Sequence, residues 1–209
     1  MTHSLHRRGT PESLKNDYVL LVTAATNINH QGAREKLLKV LDIVWDVGPA
    51  NIGSYDAGTI LAGYDIGDIK AALNEVPRVR CSFSSQAKIK EAVRRIHALK
   101  LGMSVTVEGP TEDIEEMCRE MGIQPHSVNL SLDIWGKREE LPKEEILEFT
   151  TMCGHGLISP YLVEKAIAEV RQGRKTPRQA AAMIGKPCVC GIFNPDRAED
   201  LLAKYTSGC

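Results

Sequence analysis

Residues 17–22 read Asp-Tyr-Val-Leu-Leu-Val, and the fold is predicted outward from this stretch. A continuous apolar run of strand length is typical of a strand that is buried on both faces. Such strands are common in α/β proteins, in which helices cover both faces of a mainly parallel sheet. We therefore predict that residues 17–22 form a fully buried strand.

Strands and helices then alternate along the chain. Apolar residues recur at helical spacing over 33–47, and strands are predicted at 79–83, 103–107 and 127–134, with helices between them. The last of these strands alternates apolar and polar residues, as an edge strand does. The pattern predicts an α/β domain over 17–137, with a largely parallel sheet of about four strands. A ferredoxin-like α+β arrangement is the alternative.

The two ends of the chain differ from this central part. Residues 138–209 show helical patterns only, and three helices are predicted to begin at a capping side chain followed by proline: Ser159-Pro160, Thr176-Pro177 and Asn194-Pro195. We interpret 138–209 as a small helical module that carries cysteine and histidine. Residues 1–16 form a polar N-terminal arm, either solvated or folded over a site where its histidines and arginines would meet an anion.

Composition limits the partners that are expected. The chain of 209 residues is 43% apolar and 25% charged, with a net charge of -1. These values fit a globular protein and do not favour nucleic acid as a partner. No apolar run reaches the roughly 18 residues of a membrane span, and no signal-peptide pattern is present. We expect a cytoplasmic protein with no membrane partner, and a protein partner or homo-oligomer stays open.

Three of the six cysteines and one of the six histidines fall in two glycine-rich segments. Cys153 and His155 lie in T-M-C-G-H-G, and Cys188 and Cys190 lie in C-V-C-G-I-F-N-P. Six cysteines without an export signal argue against a disulfide framework, because cytosolic thiols are kept reduced. Both segments directly precede a predicted helix start, where backbone amides favour a thiolate or a bound anion. A metal site on these four residues is therefore predicted.

Ligand spacing decides which metal is expected. Structural zinc favours pairs separated by two to four residues, whereas C-G-H and C-V-C leave one residue between ligands, so a single ion would require a tight turn. An iron–sulfur cluster, such as a 4Fe-4S cluster, binds neighbouring thiolates at different irons. We predict an iron–sulfur cofactor bound by Cys153, Cys188 and Cys190, with His155 as fourth ligand or proton carrier. Zinc is the alternative, and a redox-active thiol site or simple packing stays open.

A parallel sheet would also create a pocket beyond the carboxyl ends of its strands. His30 follows the first predicted strand and Glu108 follows the third, so these two residues, with His155, are the predicted catalytic acids or bases. No Walker, dinucleotide-binding, zincin or α/β-hydrolase motif is present. The expected function is an iron–sulfur enzyme, a lyase, sulfurtransferase or oxidoreductase, that acts on a small polar substrate. The alternative is a non-enzymatic binding or scaffold protein stabilised by zinc.

Overall fold

The computed structural model describes residues 6–207. His3, which belongs to the predicted arm, and Cys209 lie outside the described residues. In residues 6–207 no helix is long and apolar enough to cross a membrane.

One sheet contains all five strands of the described chain. They are β1 (Tyr18–Thr23), β2 (Asn51–Ser54), β3 (Gly58–Thr59), β4 (Arg78–Phe83) and β5 (Ser104–Glu108), in the order β3-β2-β4-β1-β5. Every neighbouring pair is antiparallel, and Leu20 in β1 lies opposite Cys81 in β4 and Val107 in β5. The sheet therefore makes an α+β fold.

Nine α-helices surround this sheet in the described chain. They are α1 (Pro11–Leu14), α2 (Ala33–Val47), α3 (Ile66–Ala71), α4 (Gln86–Ala98), α5 (Thr111–Met121), α6 (Glu144–Thr150), α7 (Pro160–Arg171), α8 (Pro177–Gly185) and α9 (Pro195–Thr206). The three predicted proline-started helices are confirmed as α7, α8 and α9. Ser159, Thr176 and Asn194 each accept a hydrogen bond from a backbone N–H of the first helical turn.

The predicted largely parallel sheet is wrong. After β1, helix α2 returns the chain to β2, but β4 occupies the position between β1 and β2 and runs antiparallel to both. In the same way β1 separates β4 from β5, although α4 connects them. Alternating strands and helices are compatible with either arrangement, because the pattern does not say which strand is inserted between the two strands that a helix connects. The observed order is that of split β-α-β units.

Burial of β1 on both faces is confirmed, since Tyr18 to Val22 are at most 3% exposed. Successive side chains of a strand point to opposite faces. Tyr18, Leu20 and Val22 belong to a core that includes α2 and α4, whereas Val19 belongs to a second core with α6, α7, α8 and α9. The continuous apolar run therefore results from the C-terminal helices covering the second face, and a parallel sheet is not needed to explain it.

The strand predicted over 127–134 is also wrong. The stretch has no regular secondary structure in the described chain, and its alternating apolar side chains Val128, Leu130 and Leu132 are 66–80% exposed. Alternation reports only the side-chain period, whereas a strand also needs a partner that satisfies its backbone groups. In the described residues β5 is the edge of the sheet on this side, and 127–134 does not pair with it.

A buried ion network fastens the beginning of the chain to the last helix. Asp17 Oδ2 accepts hydrogen bonds from Arg7 Nη1 at 2.5 Å and from Arg197 Nη1 at 2.7 Å. Arg197 is 1% exposed, and its Nε donates to Ser13 Oγ at 3.0 Å. Arg7 also donates to the Ile192 carbonyl at 2.6 Å. The described part of the N-terminal arm is therefore packed against the C-terminal region.

Candidate metal centre

Two tight turns carry the four predicted ligands. In the first, the Gly156 amide donates to the Cys153 carbonyl at 3.0 Å, so that Cys153 and His155 lie on one short turn. In the second, which directly follows α8, the Cys188 amide donates to the Gly185 carbonyl at 3.0 Å. Folding of α6 to α9 against one another brings the two turns together.

Glycine at position 191 lets the second turn lie directly on the sheet. Its φ is +86°, a left-handed conformation that glycine adopts without steric cost. A Cβ atom at this position would lie 2.3 Å from the backbone nitrogen of Gly53 in β2. Two residues later, the Phe193 carbonyl accepts hydrogen bonds from Asn51 Nδ2 and Ser82 Oγ, both at 3.1 Å. The position of the turn relative to β2 and β4 is therefore closely fixed.

The three thiols and the imidazole form a continuous series of contacts. Cys188 Sγ lies 3.9 Å from Cys190 Sγ, and Cys190 Sγ lies 3.7 Å from His155 Nδ1. Cys153 interacts with Cys188 as well, since each of these two thiols shifts the pKa of the other. The three cysteines are free and buried, at most 2% exposed, and His155 is partly exposed at the rim.

The distances between these sulfur and nitrogen atoms can be compared with the distances between ligands of a single metal ion. Two thiolates at about 2.3 Å from one tetrahedral zinc lie about 3.8 Å apart, and a thiolate and an imidazole nitrogen lie about 3.6 Å apart. Two contacting pairs therefore already have the separations of ligands that share one ion. As the side chains stand, however, no group of three or more His, Cys, Asp or Glu residues within 6–207 is arranged to hold a metal ion. Metal binding would therefore require these side chains to rearrange.

Electrostatics within the cluster favour one negative charge on its middle sulfur. Hydrogen bonds from the Cys153 and Cys190 thiols, together with backbone N–H groups of Phe193 and Cys190, hold the pKa of Cys188 well below its usual range. The same hydrogen bonds to Cys188, together with burial, raise the pKa values of Cys153 and Cys190. These opposite shifts favour a single negative charge within the cluster, stabilised by hydrogen bonding among its thiols.

Backbone amides also donate to the two outer sulfurs. Cys153 accepts from the amides of Leu157 and His155, and Cys190 accepts from the amide of Ile192. These donors belong to the turns themselves, whereas the first helical amides of α7 and α9 are capped by Ser159 and Asn194. The amides expected from the helix starts are therefore supplied by the turns that precede them.

The two other predicted catalytic residues are not brought together. His30 lies in the loop after β1, where its Nδ1 accepts from the Asn27 amide at 2.9 Å. Glu108 lies opposite Val19 at the beginning of β1, because β5 runs antiparallel to it. His30 and Glu108 are therefore at opposite ends of the same strand, and the pocket expected from parallel strands does not form between them. His155 remains at the thiol cluster.

Sequence reasoning missed two residues beside the thiols. Tyr55 contacts His155 edge to face, with ring centroids 5.3 Å apart, and the Arg80 guanidinium lies 5.0 Å from the centre of the Tyr55 ring. The available signal was an arginine inside the predicted strand over 79–83. Whether this arginine is buried beside the thiols depends on which face of the sheet the C-terminal helices cover, and the sequence pattern does not show this.

In the part of the arm that the structure describes, both arginines are paired with carboxylates away from the thiols. Arg8 forms ion pairs with Asp133 at 2.8 Å and Glu144 at 2.7 Å, and Arg7 is paired with Asp17. These contacts already use the guanidinium groups that an anion would need.

No protein-family model, characterised protein or solved structure matches this chain significantly. Function must therefore be argued from the thiol cluster.

Proposed function

We propose that this protein binds a metal through Cys153, Cys188, Cys190 and His155, as a metal–thiolate centre between the sheet and the C-terminal helices. The observation that carries this proposal is the convergence of three buried thiols and an imidazole from two turns separated in sequence. Backbone N–H groups donate to each of the three sulfurs. Such donors tune a metal-bound thiolate and fix its orientation.

A single tetrahedral ion, zinc first, agrees best with the separations within the cluster. Three cysteines and one histidine form a common closed set of ligands for structural zinc. The spacing of C-V-C argued against zinc because it demanded a tight turn, and the structure contains such a turn, which places the two sulfurs 3.9 Å apart. Bound zinc would join the Cys153 turn to the Cys188 turn and so stabilise the C-terminal helices against one another.

An iron–sulfur cluster is the second candidate. The amide donors on the three sulfurs are also what an anionic cluster requires. Because a 4Fe-4S cluster binds each thiolate at a different iron, Cys188 and Cys190 would have to move apart to accept it. An enzymatic role on a small polar substrate belongs to this candidate, with His155 as the nearest proton carrier. In either case we place the protein in a reducing compartment such as the cytoplasm, where free thiols persist.

The test is a metal titration of the full chain, purified without oxygen and stripped with a chelator. One sample receives Co²⁺ as a spectroscopic substitute for zinc, followed by Zn²⁺ in competition. A second sample receives ferrous iron, sulfide and reductant. We expect one equivalent of Co²⁺ to give thiolate-to-cobalt charge-transfer absorbance, and Zn²⁺ to abolish it. Zinc at 100 times its Kd should then raise the free energy of unfolding by about 2.7 kcal/mol.

The two samples distinguish the candidates. Stoichiometric iron and sulfide with broad visible absorbance, without tight cobalt binding, would identify an iron–sulfur centre. Absence of thiolate charge-transfer absorbance in both samples would contradict the proposed function.

A further inference from the structure

Arg80 is a buried charged side chain of the central sheet. In β4 it lies opposite Leu21 of β1 and Gly53 of β2. Directly opposite residues of antiparallel strands share a face, so Arg80 lies on the face that the C-terminal helices cover. It is only 5% exposed.

Two nitrogens of this guanidinium have no hydrogen-bond partner. Nε and Nη1 of Arg80 are both buried and unpaired. Burying an unpaired charge is costly, and burial accordingly lowers the pKa of Arg80, whereas nearby Cys190 raises it. The other groups that act on it are Arg78, Tyr55 and Asp56. An anion beside these two nitrogens would therefore stabilise Arg80.

We propose that Arg80 is a positioning residue of the metal centre, whose guanidinium compensates the charge of the metal-bound thiolates and donates to the sulfur of Cys190. This inference rests on the proposed function. Three thiolates and a divalent ion carry a net charge of -1, and a buried guanidinium neutralises it. Hydrogen bonding to a charged sulfur also satisfies the donors that are otherwise unpaired.

Tyr55 lies between Arg80 and His155 and contacts both side chains. Its ring lies 5.0 Å from the Arg80 guanidinium and meets the His155 ring edge to face at 5.3 Å. A cation over an aromatic face is attracted by the ring quadrupole. Tyr55 therefore contacts both Arg80 and His155, the proposed imidazole ligand.

The test compares Arg80→Met with Arg78→Met in the full chain. Arg78 lies two residues earlier in β4 but is exposed, so it is a matched control. We expect Arg80→Met to weaken zinc affinity about 10–100-fold, measured by competition with a chelator, because outer-shell partners of metal ligands have effects of this size. Arg78→Met should leave the affinity within twofold of the wild type. Arg80→Lys should recover part of the loss, since it retains the charge.

Two further readouts separate this role from a purely structural one. Without metal, Arg80→Met should melt at the same temperature as the wild type or higher, because it removes an unpaired buried charge. In the Co²⁺ form, its thiolate charge-transfer band should shift, because the hydrogen bond to Cys190 is lost. Arg80→Gln is measured alongside, so that the result does not depend on one variant folding.

The outcomes are separable. Zinc affinity and cobalt spectra of the Arg80 variants that match the wild type would overturn the role of Arg80 and leave the metal centre intact. Failure of the wild type to bind any metal would instead overturn the proposed function and the role of Arg80 with it.

Discussion

The Asp17→Ala variant is expected to lose about 3–5 kcal/mol of the free energy of unfolding, because removing one partner of a buried ion pair leaves an uncompensated charge. The Asp17 side chain is fully buried, and its partners Arg7 and Arg197 are 7% and 1% exposed. Both guanidiniums would lose their carboxylate in a place that water does not reach. The loss should appear as a lower denaturation midpoint in urea.

The matched control is Asp42→Ala. Asp42 also forms a salt bridge, to Lys70 at 2.5 Å, but its side chain is 62% exposed. Exposed pairs contribute at most about 1 kcal/mol. Equal losses in the two variants would show that the network around Asp17 does not fasten the N-terminal segment to α9.

The Cys188→Ser variant is expected to abolish stoichiometric metal binding. Cys188 Sγ lies 3.9 Å from Cys190 Sγ, and both Cys153 and Cys190 lower the pKa of Cys188. Serine nearly preserves the size of the side chain, but its neutral hydroxyl does not replace a thiolate as a ligand for zinc or iron. Metal analysis and the cobalt charge-transfer absorbance measure the loss, and circular dichroism verifies that the variant is folded.

Cys118→Ser is the control for this variant. Cys118 lies on α5, is partly exposed, and belongs to neither turn of the cluster. It should bind one equivalent of metal with the wild-type spectrum. Retention of full stoichiometry and an unchanged spectrum in Cys188→Ser would remove that residue from the centre.

Local signals in the sequence predicted individual elements well. The apolar run at 17–22 largely coincides with β1 (Tyr18–Thr23), which is buried on both faces, and the capping side chains Ser159, Thr176 and Asn194 begin helices. The sheet topology was not predictable in the same way. Insertion of β4 between β1 and β2 depends on tertiary pairing, and the alternation of strands and helices is identical with or without it. In the same way, the exposed side chains of Val128, Leu130 and Leu132 show that alternating apolar residues do not by themselves predict a paired strand.

The site was predictable to the extent that its residues share turns. Cys153 with His155, and Cys188 with Cys190, were found from the two glycine-rich segments. Their contact required the packing of α6 to α9, and the close approach of the sulfurs required the turn that contains Gly191. The pairing of His30 with Glu108 depended on a parallel sheet and disappeared with it.

The most direct test of the metal centre is X-ray absorption at the metal edge of the zinc-loaded full chain. The proposed ligands predict a first shell of three sulfurs at about 2.3 Å and one nitrogen at about 2.0–2.1 Å. A shell of oxygen and nitrogen alone, with no sulfur, would contradict binding by Cys153, Cys188 and Cys190.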